Sequence, residues 1–148
     1  MQLVVVVEDE YGNAEMLQAI LETEGFRVAC AANGKEGLAL LDGEKPAVIL
    51  SDFMMPHCTG AELGISVRSN PNLRDIPFVI ITATHESVVR ERFADYDAYV
   101  NKPYSADGLL RLVAHLALNG RPRRGARGEP PKTPAELAYE KLLEGLKF

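Results

Sequence analysis

Three separated fragments of this chain place charged side chains directly after short apolar runs. Residues 3–7 are followed by Glu8-Asp9, residues 48–50 are followed after one serine by Asp52, and Tyr99-Val100 is followed by Asn101-Lys102-Pro103. If each run is a strand of an open parallel sheet, ligands bind outside the carboxyl ends of those strands. Several carboxylates and one ammonium would then meet at one crevice. Such a group of side chains is suited to a divalent metal ion and a phosphoryl group.

The elements that must hold these fragments follow from the alternation of apolar runs and helical patterns along the chain. This alternation predicts a doubly wound α/β domain, in which helices cover both faces of a parallel sheet. Strands are predicted at 3–7, 27–31, 47–51, 77–82 and 97–101, and helices at 11–24, 34–42, 60–69, 86–94 and 105–118.

Taken together, the motifs resemble the CheY-like receiver domain of two-component response regulators. The resemblance covers residues 1–119 and depends on order and spacing, since each motif alone is weak. The matching residues are Glu8-Asp9-Glu10, Ser51 to Pro56 with Gly60, Ile81-Thr82-Ala83 and Tyr99 to Tyr104. The resemblance implies a flavodoxin-like five-stranded sheet of order 2-1-3-4-5, with its crevice between the first and third strands.

The resemblance also implies roles for the acidic residues. Asp52 would be the phosphoacceptor, because a carboxylate can attack phosphorus and form an aspartyl phosphate. The implied cofactor is Mg²⁺, which prefers oxygen ligands and keeps several waters. Asp9 and Asp52 would bind the ion directly, Glu8 mainly through water, and the backbone carbonyl of Met54 would complete the protein's share.

Further residues of the pattern would act on the phosphoryl group or respond to it. Lys102 would pair with Asp52 and then with phosphoryl oxygens, and the Lys102-Pro103 bond is a candidate cis peptide. The Thr82 hydroxyl would bond a phosphoryl oxygen and draw the following loop inward, leaving space into which Tyr99 can turn.

Two side chains are expected to control how long the phosphoryl group persists. Met54 and Thr84 lie two positions after Asp52 and Thr82, and in the family these positions flank the approach of the hydrolytic water. Methionine offers no hydrogen bond to position that water, so slow hydrolysis is expected.

The segment between Thr82 and Lys102 departs from the family pattern. It is about two residues shorter than usual, and Ala94-Asp95-Tyr96-Asp97 replaces the customary small Gly-Ala turn before the fifth strand. A short fourth helix is therefore predicted, and the family's usual dimer through that face is not expected.

Composition is that of a globular protein, with 47% hydrophobic and 25% charged residues. No apolar run approaches the roughly 20 residues that span a bilayer, and no signal peptide is evident after Met1. The expected location is cytoplasmic, without a membrane partner. Cys30 is predicted to be a small buried apolar residue. Cys58 is expected in the loop before the third helix, where the family usually carries an apolar side chain tucked inward, and a redox role for it stays open, though disfavoured.

The C-terminal part differs in charge from the rest of the chain. From residue 120 onward, seven basic and four acidic residues give a net charge of +3, whereas the preceding part carries −8. Residues 120–132 are rich in glycine, proline and arginine and predict a basic flexible linker. Nucleic acid is not favoured as a partner, because four arginines in a linker are a weak indication of DNA binding.

Residues 133–148 have the pattern of an amphipathic helix. Thr133-Pro134-Ala135-Glu136 provides an N-cap, a proline at the first helical position and a capping-box glutamate. A helix of this length is marginal alone in water, so its apolar face should dock on its own receiver, on a second copy or on another protein. That face comprises Ala135, Ala138, Tyr139, Leu142, Leu143 and Leu146.

Three functions remain open from sequence. The favoured one is a single-domain response regulator, phosphorylated by a sensor histidine kinase or phosphotransfer protein and acting on a downstream protein target. It would have no enzymatic activity beyond self-phosphorylation and autodephosphorylation at Asp52. The second is a phosphorylation-independent receiver scaffold that acts through its C-terminal helix. The third, a phosphatase-type hydrolase, is disfavoured because a haloacid-dehalogenase-like enzyme would carry an acid in place of Met54.

Overall fold

The computed structural model describes residues 1–122 and residue 142, so the predicted linker beyond Pro122 and most of the predicted C-terminal helix lie outside the described residues. Within residues 1–122, strands and helices alternate five times. They are β1 (Leu3–Val7), α1 (Tyr11–Glu22), β2 (Arg27–Ala31), α2 (Gly34–Gly43), β3 (Val48–Ser51), α3 (Gly60–Ser69), β4 (Phe78–Thr82), α4 (Glu86–Arg92), β5 (Ala98–Asn101) and α5 (Ala106–Asn119).

The five strands form one parallel sheet in the order β2-β1-β3-β4-β5. The predicted fold class and strand order are confirmed, and every predicted boundary lies within two residues of the observed one. Prediction succeeded here because strands of a parallel sheet are buried on both faces and are therefore nearly continuous apolar runs. No residue of β4, for example, is more than 2% exposed.

Two apolar clusters fill the space on the two faces of the sheet. One joins alternate strand residues such as Val4, Val6 and Leu50 to α1 and α5. The other cluster joins the intervening residues of the same strands, such as Val5 and Ile49, to α2, α3 and α4. Because both faces are covered, the edge at which the strands end is where polar chemistry can collect.

Helix α4 has seven residues, as the short segment between Thr82 and Lys102 predicts. The Tyr96 side chain, which is only 3% exposed, packs beside Phe93 with ring centroids 6.5 Å apart. Its hydroxyl donates to Glu86 at 2.5 Å and accepts from Arg90 Nε at 3.0 Å. Tyr96 thus ties both ends of α4 to the loop that follows it.

The two cysteines differ from each other in environment. Cys58 is partly buried and packs against the cluster on the α2 and α3 face, as predicted. The prediction for Cys30 is wrong, because Cys30 is exposed. Strand β2 is the outer strand of the sheet on this side, and its central residues are only partly covered.

No helix in residues 1–122 has the length and apolar character needed to cross a membrane.

Candidate functional site

The register of β1 and β3 places two acidic residues side by side. Val7 pairs with Ser51, so the next residue of each strand, Glu8 and Asp52, emerges at the same level. The Asp52 amide donates to the Val7 carbonyl at 3.0 Å, which extends the ladder by one bond. These two strands are the point at which chain order reverses in the sheet, where such folds bind ligands.

Three carboxylates form one cluster at this point. Oxygen atoms of Glu8, Asp9 and Asp52 lie within 4.8 Å of one another. Glu8 is 4% exposed, Asp9 is exposed, and the side chain of Asp52 is 11% exposed. A set of hard oxygen donors with one open side fits a small divalent ion such as Mg²⁺, which keeps part of its water shell.

Lys102 brings one positive charge to this cluster. Its Nζ donates to Asp52 Oδ2 at 2.8 Å and to Glu8 Oε2 at 3.2 Å. The Lys102 amide donates to the Thr82 carbonyl at 3.0 Å, which fixes the backbone beyond the end of β5. The Lys102-Pro103 bond is cis, as predicted.

Burial and charge shift the two most enclosed groups in this site. Burial and then the charge of Asp52 raise the pKa of Glu8, and Lys102 only partly opposes this shift. Burial alone would lower the pKa of Lys102, but the hydrogen bond and charge of Asp52, with the charge of Glu8, outweigh it and raise the pKa. The ammonium is therefore held in its charged form between the two carboxylates.

On the β4 side of the crevice, Thr82 and Tyr99 hold the loop after β4. Thr82 is 2% exposed, and its hydroxyl oxygen accepts a bond from the Thr84 amide at 3.2 Å. The Tyr99 hydroxyl donates to the Thr84 carbonyl, and burial raises the pKa of that phenol. Thr82, Thr84 and Tyr99 thus form one hydrogen-bonded unit.

The segment after Asp52 is held by close backbone packing. The Met54 amide donates to Asp52 Oδ1 at 3.2 Å, while the Met54 side chain is 61% exposed beside the crevice. Gly60 begins α3 against this segment, and a Cβ atom there would lie 2.3 Å from the Asp52 carbonyl oxygen. Only glycine allows this approach, so Gly60 helps to set where Asp52 lies.

The structure also gives Ser51 a part that sequence analysis did not assign. Ser51 is 1% exposed, and its hydroxyl donates to the Asp52 carbonyl at 2.8 Å. A hydroxyl at the end of an otherwise apolar buried strand was the signal available in the sequence. The structure thus brings Glu8, Asp9, Asp52 and Lys102 together, with Thr82 and Tyr99 linked through Thr84 on the β4 side.

Comparison with protein families gives a match to the response regulator receiver domain over residues 4–114. The chain belongs to this family. This receiver is 35% identical over 120 residues to the uncharacterized 14.6 kDa protein in the sodA1 3′ region of Leptolyngbya boryana, covering 78% of this chain and 89% of that protein. It is 32% identical over 133 residues to response regulator Rre1 of Synechocystis, covering 86% of this chain but 57% of Rre1.

Solved receiver structures agree with the fold. The signal receiver domain of a signal transduction histidine kinase from Syntrophus aciditrophicus aligns with a TM-score of 0.75 at 29% identity, covering 90% of this chain and 99% of that one. The receiver domain of a sensor histidine kinase from Pseudomonas aeruginosa aligns with a TM-score of 0.74 at 26% identity, covering 80% and 98%. The latter structure has a magnesium ion coordinated in its active-site cleft.

Proposed function

We propose that this receiver is a phosphorylation-controlled switch in two-component signalling, with Asp52 as phosphoacceptor. The observation that carries the proposal is the Lys102 ammonium held 2.8 Å from Asp52 inside a cluster of three carboxylates. A structural salt bridge needs one carboxylate, whereas this cluster keeps two further acidic groups beside the pair. The excess negative charge suits a divalent cation and then a phosphoryl group.

The reaction is a transfer of one phosphoryl group from a phosphohistidine. A carboxylate oxygen of Asp52 attacks phosphorus, the new O–P bond forms, and the N–P bond to the donor imidazole breaks. The leaving imidazole nitrogen takes up a proton. Bound Mg²⁺ would reduce the repulsion between the anionic nucleophile and the anionic donor.

The residues around Asp52 take complementary roles in this proposal. Asp9, Asp52 and the Met54 carbonyl would hold Mg²⁺ directly, and Glu8 would act mainly through water. Lys102 would move from the carboxylate to a phosphoryl oxygen, for which its flexible stem is suited. The same phosphoryl group would be released to water in autodephosphorylation, and no other catalysis is proposed.

The switch itself would be the unit formed by Thr82, Thr84 and Tyr99. The Thr82 hydroxyl accepts from the Thr84 amide and keeps its own proton to donate, so a phosphoryl oxygen on Asp52 would draw the hydroxyl into a charge-assisted bond and pull the attached loop inward. Phosphorylation would thereby shift an existing equilibrium of this loop and of the Tyr99 ring. The changed surface would be recognised by a downstream protein.

The partners follow from this chemistry. A sensor histidine kinase or a phosphotransfer protein would supply the phosphohistidine in the cytoplasm. A homodimer through the C-terminal segment is the alternative to docking of that segment within one chain.

Treatment with phosphoramidate and Mg²⁺, followed by intact-mass measurement, tests the function. We expect one phosphoryl group on the unmodified chain, none on Asp52→Asn, and normal labelling of Asp42→Asn, an exposed aspartate at the end of α2. An unmodified chain that gains no mass would instead support the phosphorylation-independent scaffold. Equal labelling of the Asp52 variant would show that the acceptor is misassigned.

A further inference from the structure

The described chain ends at a fixed point on the sheet. Arg121 Nε donates to Asp97 Oδ1 at 3.0 Å, and Arg121 Nη2 donates to Asp95 Oδ1 at 2.6 Å. Asp97 is fully buried and also accepts from Arg68 at 2.8 Å and from the Phe78 amide at 2.8 Å. Arg121 lies beyond residue 114, where the family match ends.

The anchor lies at the amino edge of the sheet, where the strands begin. Phe78 is the first residue of β4, and Asp97 directly precedes β5. The Asp52 pocket lies at the carboxyl edge, and α5 leads from one edge to the other. The segment after Pro122, hereafter the tail (residues 123–148), therefore leaves the receiver on the edge opposite the pocket.

A groove opens along the same amino edge, beside β1 and β2. It encloses about 790 Å³ and is lined by the apolar side chains of Met1, Leu3, Phe26, Val28 and Leu40. Gln2 Nε2 donates to the Ala117 carbonyl at 3.0 Å, which ties the start of β1 to the last turn of α5. The amino-edge groove thus lies at the same edge of the sheet as the end of α5, on the β2 side, whereas Arg121 is fixed on the β5 side.

We propose that the apolar residues of segment 134–147 dock in this amino-edge groove of their own receiver. Tyr139, Leu142, Leu143 and Leu146 recur at helical spacing, and Leu142, which the structure describes, is helical and only partly exposed. The eleven residues 123–133 can span up to about 36 Å, more than enough to reach the groove. The charged residues of its lining are Glu22 and the ion pair of Arg27 with Glu44, so the apolar side chains, and not charge, carry the proposal.

A second groove, of about 450 Å³, is the strongest competitor. It lies between α1 and the start of α5, lined in part by Met16, Ile20 and Tyr104, and it borders Lys102. It is separated from Arg121 by the length of α5, which at 14 residues is roughly 21 Å. Docking at the amino edge also leaves the mouth of the Asp52 pocket open to a phosphodonor.

Amide hydrogen exchange tests the proposal when it is measured on the unmodified full chain and on two matched tail variants of it. Leu143→Glu puts a charge on the apolar face, whereas Leu137→Glu makes the same change on the opposite side of the helical pattern. We expect Leu143→Glu to speed exchange in residues 26–29 and 40–44 by about tenfold, and Leu137→Glu to leave it unchanged. Unchanged exchange in both variants would overturn the proposal.

Three further results would also overturn it. A change confined to residues 13–20 and 103–106 would indicate the second groove. Protection that depends on protein concentration would indicate a second copy. Rapid exchange throughout 134–147 in the unmodified chain would indicate a separate partner. A photoreactive benzoylphenylalanine in place of Tyr139 gives an independent measurement, with an intramolecular cross-link expected to Met1 or Phe26. Neither measurement uses phosphoryl chemistry, so docking and the proposed function stand or fall separately.

Discussion

The Lys102 ammonium lies 2.8 Å from Asp52 and 3.2 Å from Glu8, and it thereby joins the ends of β5, β3 and β1 through one side chain. Its own side chain is 24% exposed, while that of Glu8 is 3% exposed. A single positive charge therefore neutralises only part of a largely enclosed acidic cluster. If the proposed function holds, this relationship would make Lys102 both a competitor of a metal ion and a partner for a phosphoryl group.

Replacement of Lys102 by glutamine should separate these two effects. We expect Mg²⁺ to bind about threefold or more tightly, because the site loses a positive charge close to the carboxylates. Labelling of Asp52 by phosphoramidate should instead become slower, because a phosphoryl oxygen loses its cationic partner. Isothermal titration with Mg²⁺ and intact-mass time courses measure the two quantities.

Two controls sharpen that measurement. Lys102→Arg keeps the charge and should bind Mg²⁺ much as the unmodified chain does, while Lys35→Gln removes an exposed lysine from the start of α2. Weaker Mg²⁺ binding by Lys102→Gln would mean that Lys102 organises the carboxylates and does not compete with the ion.

Gly60→Ala should damage the site through the backbone. The added Cβ would lie 2.3 Å from the Asp52 carbonyl oxygen and 2.9 Å from the Phe53 Cα, and neither atom can move without displacing the segment that carries Asp52. We expect a loss of about 2 kcal/mol in the free energy of unfolding, together with slower labelling of Asp52.

Gly12→Ala is the matched control for Gly60→Ala. Gly12 lies in α1, and a Cβ atom there would meet no other atom within 4 Å. Alanine at that position should be neutral or stabilise the protein by up to about 1 kcal/mol. Denaturant unfolding compares the two variants, and equal stabilities would contradict the proposed close contact at Gly60.

Tyr96 should make the stability of the protein depend on alkaline pH. Burial, followed by the hydrogen bond to Glu86, raises the pKa of Tyr96 to about 12 from the ordinary tyrosine value of 10.0. The unfolded chain loses this proton at lower pH than the folded one, so the contribution is complete below pH 10 and is lost as pH rises towards 12. The loss should reach about 2 kcal/mol, since one pKa unit corresponds to about 1.4 kcal/mol.

Tyr96→Phe isolates that contribution. The variant should be less stable at neutral pH, because two hydrogen bonds to α4 are lost, but its stability should fall less between pH 10 and pH 12. Tyr11→Phe, at a tyrosine that is 79% exposed, should keep the pH dependence of the unmodified chain. Parallel curves for Tyr96→Phe and the unmodified chain would assign the alkaline loss to other groups.

The fold was predictable from sequence because its main signals are local. Each buried strand contains an apolar run of three to five residues, and the run ends where a charged or polar residue begins. The convergence of Glu8, Asp52 and Lys102 followed from the general position of ligand sites in parallel sheets. Even the short α4 could be predicted, since the number of residues between β4 and β5 limits its length.

The exposure of Cys30 and the anchor at Arg121 could not be predicted from the sequence, because they depend on the position of a strand in the sheet and on contacts between distant residues. Cys30 resembles a core residue locally, yet the strand order places β2 at the outside. The bond from Arg121 to Asp97 joins residues 24 positions apart, and in the sequence Arg121 is simply one arginine of a basic stretch. The Ala94 to Asp97 segment was recognised as unusual, but only the fold shows that Asp97 is buried against two arginines.

Met54 and Thr84 should set how long Asp52 stays phosphorylated. Met54 is 61% exposed beside the crevice, and its amide donates to Asp52 at 3.2 Å, so its side chain starts close to the acceptor without offering a hydrogen bond to water. Met54→Asn supplies such a group, and we expect decay of the phosphorylated chain to become about threefold faster or more. Met16→Asn, at a methionine in α1 that is 57% exposed, is the matched control and should leave the decay unchanged. Thr84, whose amide is bonded to Thr82 and whose carbonyl is bonded to Tyr99, would flank the same approach, so Thr84→Ala tests the other side. Intact mass recorded over time after removal of phosphoramidate gives the rates. If neither Met54→Asn nor Thr84→Ala changes the decay, water reaches the phosphorus by a route that these two side chains do not line.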